Sequence, residues 1–527
     1  MKRGIGLSWK GVTAALAALL LLPGCFSGND QEAKGSPVKE VSSGMTPGSG
    51  NEDTLRIGIL TGEAGDRYYR ESYTDIYEYT HPDLHIEIVP AIDTTRYRYL
   101  DPDSEHYQSK APLEELKKLI EGDNPVDVLI LDPETLRSAI DSGWTEELAP
   151  YMKRTGESTD EFAPAVVEGL KELGGGELHG LVSDYTSSAL YYNVDWFEEK
   201  GVKPPEDDMS WEEVFALARA ASGEDEQGEH VYGLSFTHTL AEDPLWAIRP
   251  YTDPLGLSIF DLKKKEMTVN TPEWLEVWTK LADMTREKAL PLALRPESTT
   301  ESYDPFGGDL FLGGKTAMVF ADSSYAADLQ TASRNAERIE GFEPFKWRTV
   351  TLPVHPGREG IGAGVKLGDT FSIASSSSHK EEAWEFIRFA TSDRIQAMGL
   401  HDAYRMPSRL SAIAREAEKN GYRSEAFTQL RPAEPIAERE DQAVQKNPQL
   451  WQIGETGRTL FQRVLQGELP AKQGLEQWEN DGRRWLGGPF TEDGTLTFGD
   501  PPPSGLPRVV FFEKTNKNNR VRTQKQT

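Results

Sequence analysis

Cysteine is nearly absent from this chain, which has one, Cys25, in 527 residues. A lone cysteine excludes an intramolecular disulfide, so a hydrophobic core must hold the fold together. Cations are scarce as well. Lys and Arg number 57 against 86 Asp and Glu, a net charge of −29. So acidic a surface repels phosphate backbones and anionic bilayers. It excludes nucleic acid as a partner and leaves solubility as the plain meaning of the charge. Long apolar runs are missing too: Gly11 to Leu22 is too short to span a bilayer as a stable helix.

Signatures of chemistry are equally thin. Gly360-Ile361-Gly362-Ala363-Gly364 fits neither a dinucleotide fingerprint nor a Walker sequence, and Gly314-Lys315-Thr316 lacks the upstream glycine a phosphate loop needs. No H-E-x-x-H occurs and the nine histidines are scattered, which speaks against catalytic zinc. Asp101-x-Asp103-x-Glu105 hints at a calcium loop but lacks its glycine and final acid. No G-x-S-x-G elbow is present. The expectation is no catalytic residue, no metal and no cofactor. Paired carboxylates of the glycosidase kind stay open, because an acidic chain offers many pairs.

What is present begins with an address. Lys2, Arg3 and Lys10 flank the start of the apolar run, which closes on Leu22-Pro23-Gly24-Cys25. That is the layout of an export signal, and its end resembles a bacterial lipobox. The resemblance implies a lipoprotein signal peptide over 1–24 and lipidation at Cys25. Residues 25–53 are Gly, Ser, Pro and charge, a composition that builds no core and reads as a flexible tether. The tail 501–527, Pro-rich and then basic, reads as disordered.

A chain of this length exceeds what one core supports, so two domains are expected. Residues 55–60, 84–89 and 126–131 read as strands, with helices over 67–80, 112–120 and 134–141. Strands alternating with such helices predict a mostly parallel sheet. Further helices are expected over 210–222, 272–289, 455–466 and 471–486, and strands over 231–236, 347–353 and 371–374. Ser210 with Glu213 three residues on forms a capping box. Residues 91–110 and 435–450 carry no assignment.

One stretch organises the rest. A glycine turn at 174–176 leads to Leu181-Val182, a polar segment Ser183 to Ser188, then Ala189-Leu190-Tyr191-Tyr192-Asn193. A short helix stopped by Gly201, the pair Pro204-Pro205 and the Ser210 helix follow. This order resembles the extracellular solute-binding proteins of ABC importers, above all the maltodextrin-binding group. Asp309 to Phe320 resembles that family's Phe-x-Gly-Gly-Lys-x-Ala-Met element, and Tyr404 to Arg409 its third crossing between lobes.

The resemblance implies an α/β, two-lobed periplasmic-binding-protein-like fold, with a ligand cleft between lobes joined by crossing hinge segments. Residues 54–183 plus 370–404 would form lobe 1, and 184–369 plus 405–490 lobe 2. It implies a monomer, lipid-anchored on the extracellular face of the cell membrane. The protein would close on a small-molecule solute, a carbohydrate and by preference an oligosaccharide, and deliver it to the membrane subunits of an ABC permease. Two alternatives stay open: a surface lipoprotein of the same fold acting as a sensor or regulatory partner, and a secreted glycoside-active enzyme.

Sugar rings need aromatic faces for their C–H surfaces and carboxylates for their hydroxyl rims. Open α/β sheets bind ligands at the carboxyl ends of their strands. The candidates are therefore Glu63 and Asp66 after the first strand, with Tyr68 and Tyr69 one turn on, and Asp132 after the third. Asp184 and Tyr185 lie at the first crossing, and Trp246, Tyr251, Asp322 and Tyr325 in the second lobe. Asp369, Tyr404 and Trp451 come from the later crossings and a late helix.

Overall fold

A computed structural model describes residues 54–96, 112–240, 243–294, 305–399 and 404–487. The lipidation at Cys25, the signal peptide, the tether, the tail and most of 91–110 lie outside the described residues. The first sheet starts with β1 (Thr54–Gly62), β2 (His85–Asp93) and β3 (Val128–Leu131). β1 is parallel to both neighbours, with Ile57 opposite Ile88 and Val128. Parallel pairing requires crossover connections. The first is helical over 67–80, as expected, but contains a π-helical turn at Arg70–Thr74.

Leu181 to Asn193 then runs through three sheets. β4 (Leu181–Val182) joins the first, β5 (Asp184–Thr186) a small crossing sheet, and β6 (Ser188–Asn193) the second. β7 (Met318–Asp322) and β8 (Trp347–Val350) flank β6 antiparallel, Leu190 facing Phe320 and Val350. The chain returns through β9 (Lys366–Leu367) and β10 (Thr370–Ile373), and crosses again at β11 (Met406–Pro407). β9 and β11 both pair antiparallel with β5, so three chain crossings meet in one sheet. β10 inserts between β3 and β4, with Thr370 opposite Leu131 and Val182. The ends of β1, β3 and β4 and the start of β10 therefore share one edge.

Helices complete the fold: α1 (Pro112–Glu121), α2 (Pro133–Asp141), α3 (Pro164–Leu173), α4 (Trp211–Ala221), α5 (Pro272–Arg286) and α6 (Lys380–Ala390). α7 (Ile436–Lys446), α8 (Trp451–Leu465) and α9 (Ala471–Gly487) follow. The capping box at Ser210 is formed, with Glu213 closing it. Gly201 ends the short helix before it at φ 64°, a left-handed conformation that favours glycine. The strand expected over 231–236 shrinks to His230–Val231 plus isolated bridges from Tyr232 and Ser235 to the β7 region.

Two hydrophobic cores form, and β6 separates them. Alternation along a strand sends successive side chains to opposite faces. Ala189 and Tyr191 enter the core that holds Ile57, Leu129 and Phe371, while Leu190 and Tyr192 enter the other. That second core contains a tryptophan stack in which Trp278 and Trp478 lie 5.5 Å apart at 20°. Helix α7 occupies a segment the sequence leaves unassigned. Its buried Glu440 accepts from the Ile259 N–H at 2.6 Å and pairs with Arg249, which also holds Asp253 at 3.2 Å.

Candidate functional site

The shared edge of the first sheet, where the three crossing strands meet, encloses a polar cavity of about 130 Å³. Its walls come from the helical turn after β1 (Tyr68, Tyr69, Tyr73), from Ser183 and Asp184 at β5, from Asp369 and Phe371 around β10, and from Arg405 before β11. Asp66 caps that first helical turn, accepting from the Tyr68 and Tyr69 amides, and so aims the tyrosines at the edge. Gly368 is required by close approach, since a Cβ there would stand 2.5 Å from Asp184 Oδ1.

Hydrogen bonds tie these groups together. Arg405 Nη1 donates to Asp184 Oδ1 at 2.6 Å, linking the third crossing to the first. Ser183 Oγ donates to Asp184 Oδ2 at 2.9 Å, so the Tyr73 hydroxyl, 2.8 Å away, donates to Ser183. Tyr69 Oη donates to Asp369 Oδ2 at 2.8 Å. Burial, with the Asp369 charge next, pushes the Tyr69 phenol far above its ordinary value, and burial does the same for Tyr73. Both are fixed as neutral donors. Burial also raises the Asp369 carboxyl; Tyr69 and Arg405 pull it back, and the charges of Asp184 and Asp132 push it up. Burial opposes the charge on Arg405, but its bond to Asp184 outweighs that and keeps the guanidinium charged.

A larger cavity, about 320 Å³, lies beside α2 and α3 and is closed by residues 362–367, Asp253 and the start of α7. Asp132 lines it as the cap of α2, accepting from the Glu134 and Thr135 amides at 3.0 Å and the Thr135 hydroxyl at 2.6 Å. Its charged rim is largely paired, Lys366 with Glu438 and Arg431 with Glu172.

The structure thus brings Asp184 and Asp369 into one cavity and Asp132 into its neighbour. Glu63 sits partly buried in the turn after β1, and the Asp322 carboxylate accepts from the Ser324 amide and hydroxyl, so it too caps a turn. Trp246, Trp451 and Tyr404 are 64%, 48% and 68% exposed and line neither cavity. Three expectations need correction. Tyr185 lies on the face of β5 opposite Asp184, fully buried, its hydroxyl donating to the Phe427 carbonyl at 3.3 Å. Tyr251 packs against Trp211 with centroids 4.8 Å apart, and the buried Tyr325 donates to Asp309 at 2.8 Å. All three are core residues.

Arg405, Ser183, Tyr73 and Phe371 also line the cavity, beyond the residues expected from the sequence. Ser183 and Arg405 adjoin selected residues, and that adjacency was the available signal. Among the described residues no group of three or more His, Cys, Asp or Glu could hold a metal ion, and no helix is long and apolar enough to cross a membrane.

Two α/β sheets joined by three crossing strands, with a polar cavity at the junction, define a binding fold built to hold a small molecule. Residues 67–397 match the family model of bacterial extracellular solute-binding proteins, and the chain belongs to that family. The sn-glycerol-3-phosphate-binding periplasmic protein UgpB of Brucella melitensis is 26% identical over 305 residues, 55% of this chain and 64% of that protein. The protein of the same name from Rhizobium meliloti is 26% identical over 309 residues, 56% of this chain and 65% of its own length. The chain therefore spans just under two thirds of these relatives. Among solved structures, a family 1 extracellular solute-binding protein from Alicyclobacillus acidocaldarius is similar with a TM-score of 0.55 at 16% identity, covering 82% of this chain and 98% of that one. The sugar-binding protein MalE from Xanthomonas citri gives 0.50 at 17% identity, covering 82% and 97%. These likenesses concern the fold.

Proposed function

We propose that this protein binds an unphosphorylated, hydroxyl-rich solute of the carbohydrate class at the junction of its crossing strands and delivers it to an ABC permease. Residues 54–183 plus 370–404 act as one lobe and 184–369 plus 405–490 as the other. The solute favours the closed arrangement because both lobes contact it there. Lipidation at Cys25 would hold the protein at the extracellular face of the membrane. No bond in the solute is made or broken, in keeping with a family of binding proteins.

The observation that carries this reading is the donor and acceptor set of the small cavity. Asp184 and Asp369 accept hydrogen bonds from hydroxyls, and Tyr68 offers an aromatic surface that remains 44% exposed. The same set opposes a phosphate ester, the solute in the names of the UgpB relatives. The one cation lining the cavity among the described residues, Arg405, is already bound to Asp184, and a second carboxylate stands beside it. A phosphate there would face Asp369 without a free countercharge.

Thermal unfolding of the purified chain in the presence of mono- and oligosaccharides, with sn-glycerol-3-phosphate alongside, tests the assignment. A ligand at a hundred times its Kd adds about 2.7 kcal/mol of stability, and a saccharide is expected to raise Tm where the phosphate ester does not. Stabilisation by the phosphate ester with none from any saccharide would overturn it.

A further inference from the structure

The small cavity combines negative charge with aromatic surface, and the two together select for more than hydroxyls. Tyr68 meets Tyr69 edge-on at 5.1 Å and Tyr73 at 6.4 Å, and Tyr73 meets Phe371 at 5.1 Å, so four rings form one continuous wall. Aromatic faces attract cations through their quadrupole, more strongly once water is removed. The same cavity is lined by two carboxylates and one guanidinium. The Arg405–Asp184 contact at 2.6 Å cancels one pair of charges. Asp369 is left with a neutral partner, the Tyr69 hydroxyl at 2.8 Å. Asp132, in the neighbouring cavity, is near enough to add to the negative field that Asp369 feels. A partly buried carboxylate without a matching cation is costly, and a ligand that supplies the charge removes that cost.

We infer that this cavity is a recognition site for an ammonium group, and that the solute is an amine-bearing saccharide whose charged nitrogen seats between Asp369 and the tyrosines. The inference rests on the solute-binding reading above and narrows its substrate class. At about 130 Å³ the cavity suits an amino group with its neighbouring ring atoms, leaving the rest of the solute outside. Tyr68 and Arg405, each only partly covered, leave it open to entry. The charge-assisted contact to Asp369 would supply selectivity against the same sugar with its amine acetylated, because acetylation removes the charge and enlarges the group.

Glucosamine oligomers, their N-acetylated counterparts and neutral gluco-oligosaccharides of equal length form the decisive panel, measured on the purified chain by calorimetry and thermal unfolding. The glucosamine series should bind at least about tenfold more tightly than the other two. Asp369→Asn keeps the shape and removes the charge, and is expected to abolish the preference while its Tm without ligand stays near that of the parent. If that variant fails to fold, Tyr69→Phe, which leaves Asp369 without its neutral donor, should widen the preference for the amine, and a preference that narrows would overturn the ammonium site. Equal affinity for amine and acetylated forms, or a preference that survives Asp369→Asn, would overturn the ammonium site and leave carbohydrate binding standing. Binding by none of the three series would count against both readings.

Discussion

Alanine at Gly454 and at Gly457, three residues apart in α8, is expected to shift stability in opposite directions. In an unobstructed helix interior, alanine stabilises relative to glycine by roughly 0.5–1 kcal/mol, because it loses less backbone freedom on folding. Gly454 meets that condition, since a Cβ there would meet nothing within 4 Å. Gly457 does not. Its Cβ would stand 2.3 Å from Cε2 and Cζ2 of Trp478. That ring has no route of retreat: it is fully buried, stacked on Trp278, and its N–H donates to the Ile453 carbonyl at 2.7 Å. Overpacking of this kind costs about 1–3 kcal/mol and outweighs the gain in helix propensity, for a net loss of up to about 2.5 kcal/mol. Urea unfolding followed by far-UV circular dichroism reads the outcome. The Gly454→Ala midpoint should rise and the Gly457→Ala midpoint fall, with slopes unchanged. Midpoints moving the same way would refute the packing argument.

Two further outcomes follow from buried carboxyls. Burial pushes Asp253 up to about 6, because Arg249 is shared with Glu440 and cannot offset it. The folded value exceeds the unfolded one, so this stabilisation is present below about pH 4 and is lost as pH rises through 6. Relative to the parent, Asp253→Asn should therefore gain on the order of 2–3 kcal/mol between pH 4 and pH 7, and a pH-independent difference would refute the assignment. Tyr325→Phe leaves the buried Asp309 with its bonds from the Phe311 and Leu312 amides but without the hydroxyl. A loss of about 1–2 kcal/mol with unchanged saccharide affinity is expected. Reduced affinity at full stability would return Tyr325 to the binding site.

The parts of the fold that a reader of the sequence recovers are those encoded locally. The Ser210–Glu213 box, the stop at Gly201 and the alternating run of β1 each carry their signal within a few residues. Helix α7 was not legible because its sequence is dominated by Glu, Arg, Gln and Asp, and what holds it is Arg249, far away in the chain. The site was half legible for a related reason. Proximity to a strand end pointed to both Asp184 and Tyr185, yet adjacent residues of a strand face opposite ways. Only the crossing sheet decides which of the two meets the cavity. Arg405 matters through its contact with Asp184, a pairing across more than two hundred positions that no local pattern announces.

The insertion of β10 between β3 and β4 also bears on the order of synthesis. This interior strand of the first sheet is made after the second sheet's strands, and the Ser377–Asp127 hydrogen bond beside it closes a span of 250 residues. Until that segment emerges, the apolar strand Val128–Leu131 has an unpaired edge, and the first core cannot close around it. Closing the first core thus waits on contacts distant in sequence, the kind that slows folding. The first core therefore commits late: a chain cut short before residue 370 would keep the edge of β3 open, whatever had already formed in the second sheet.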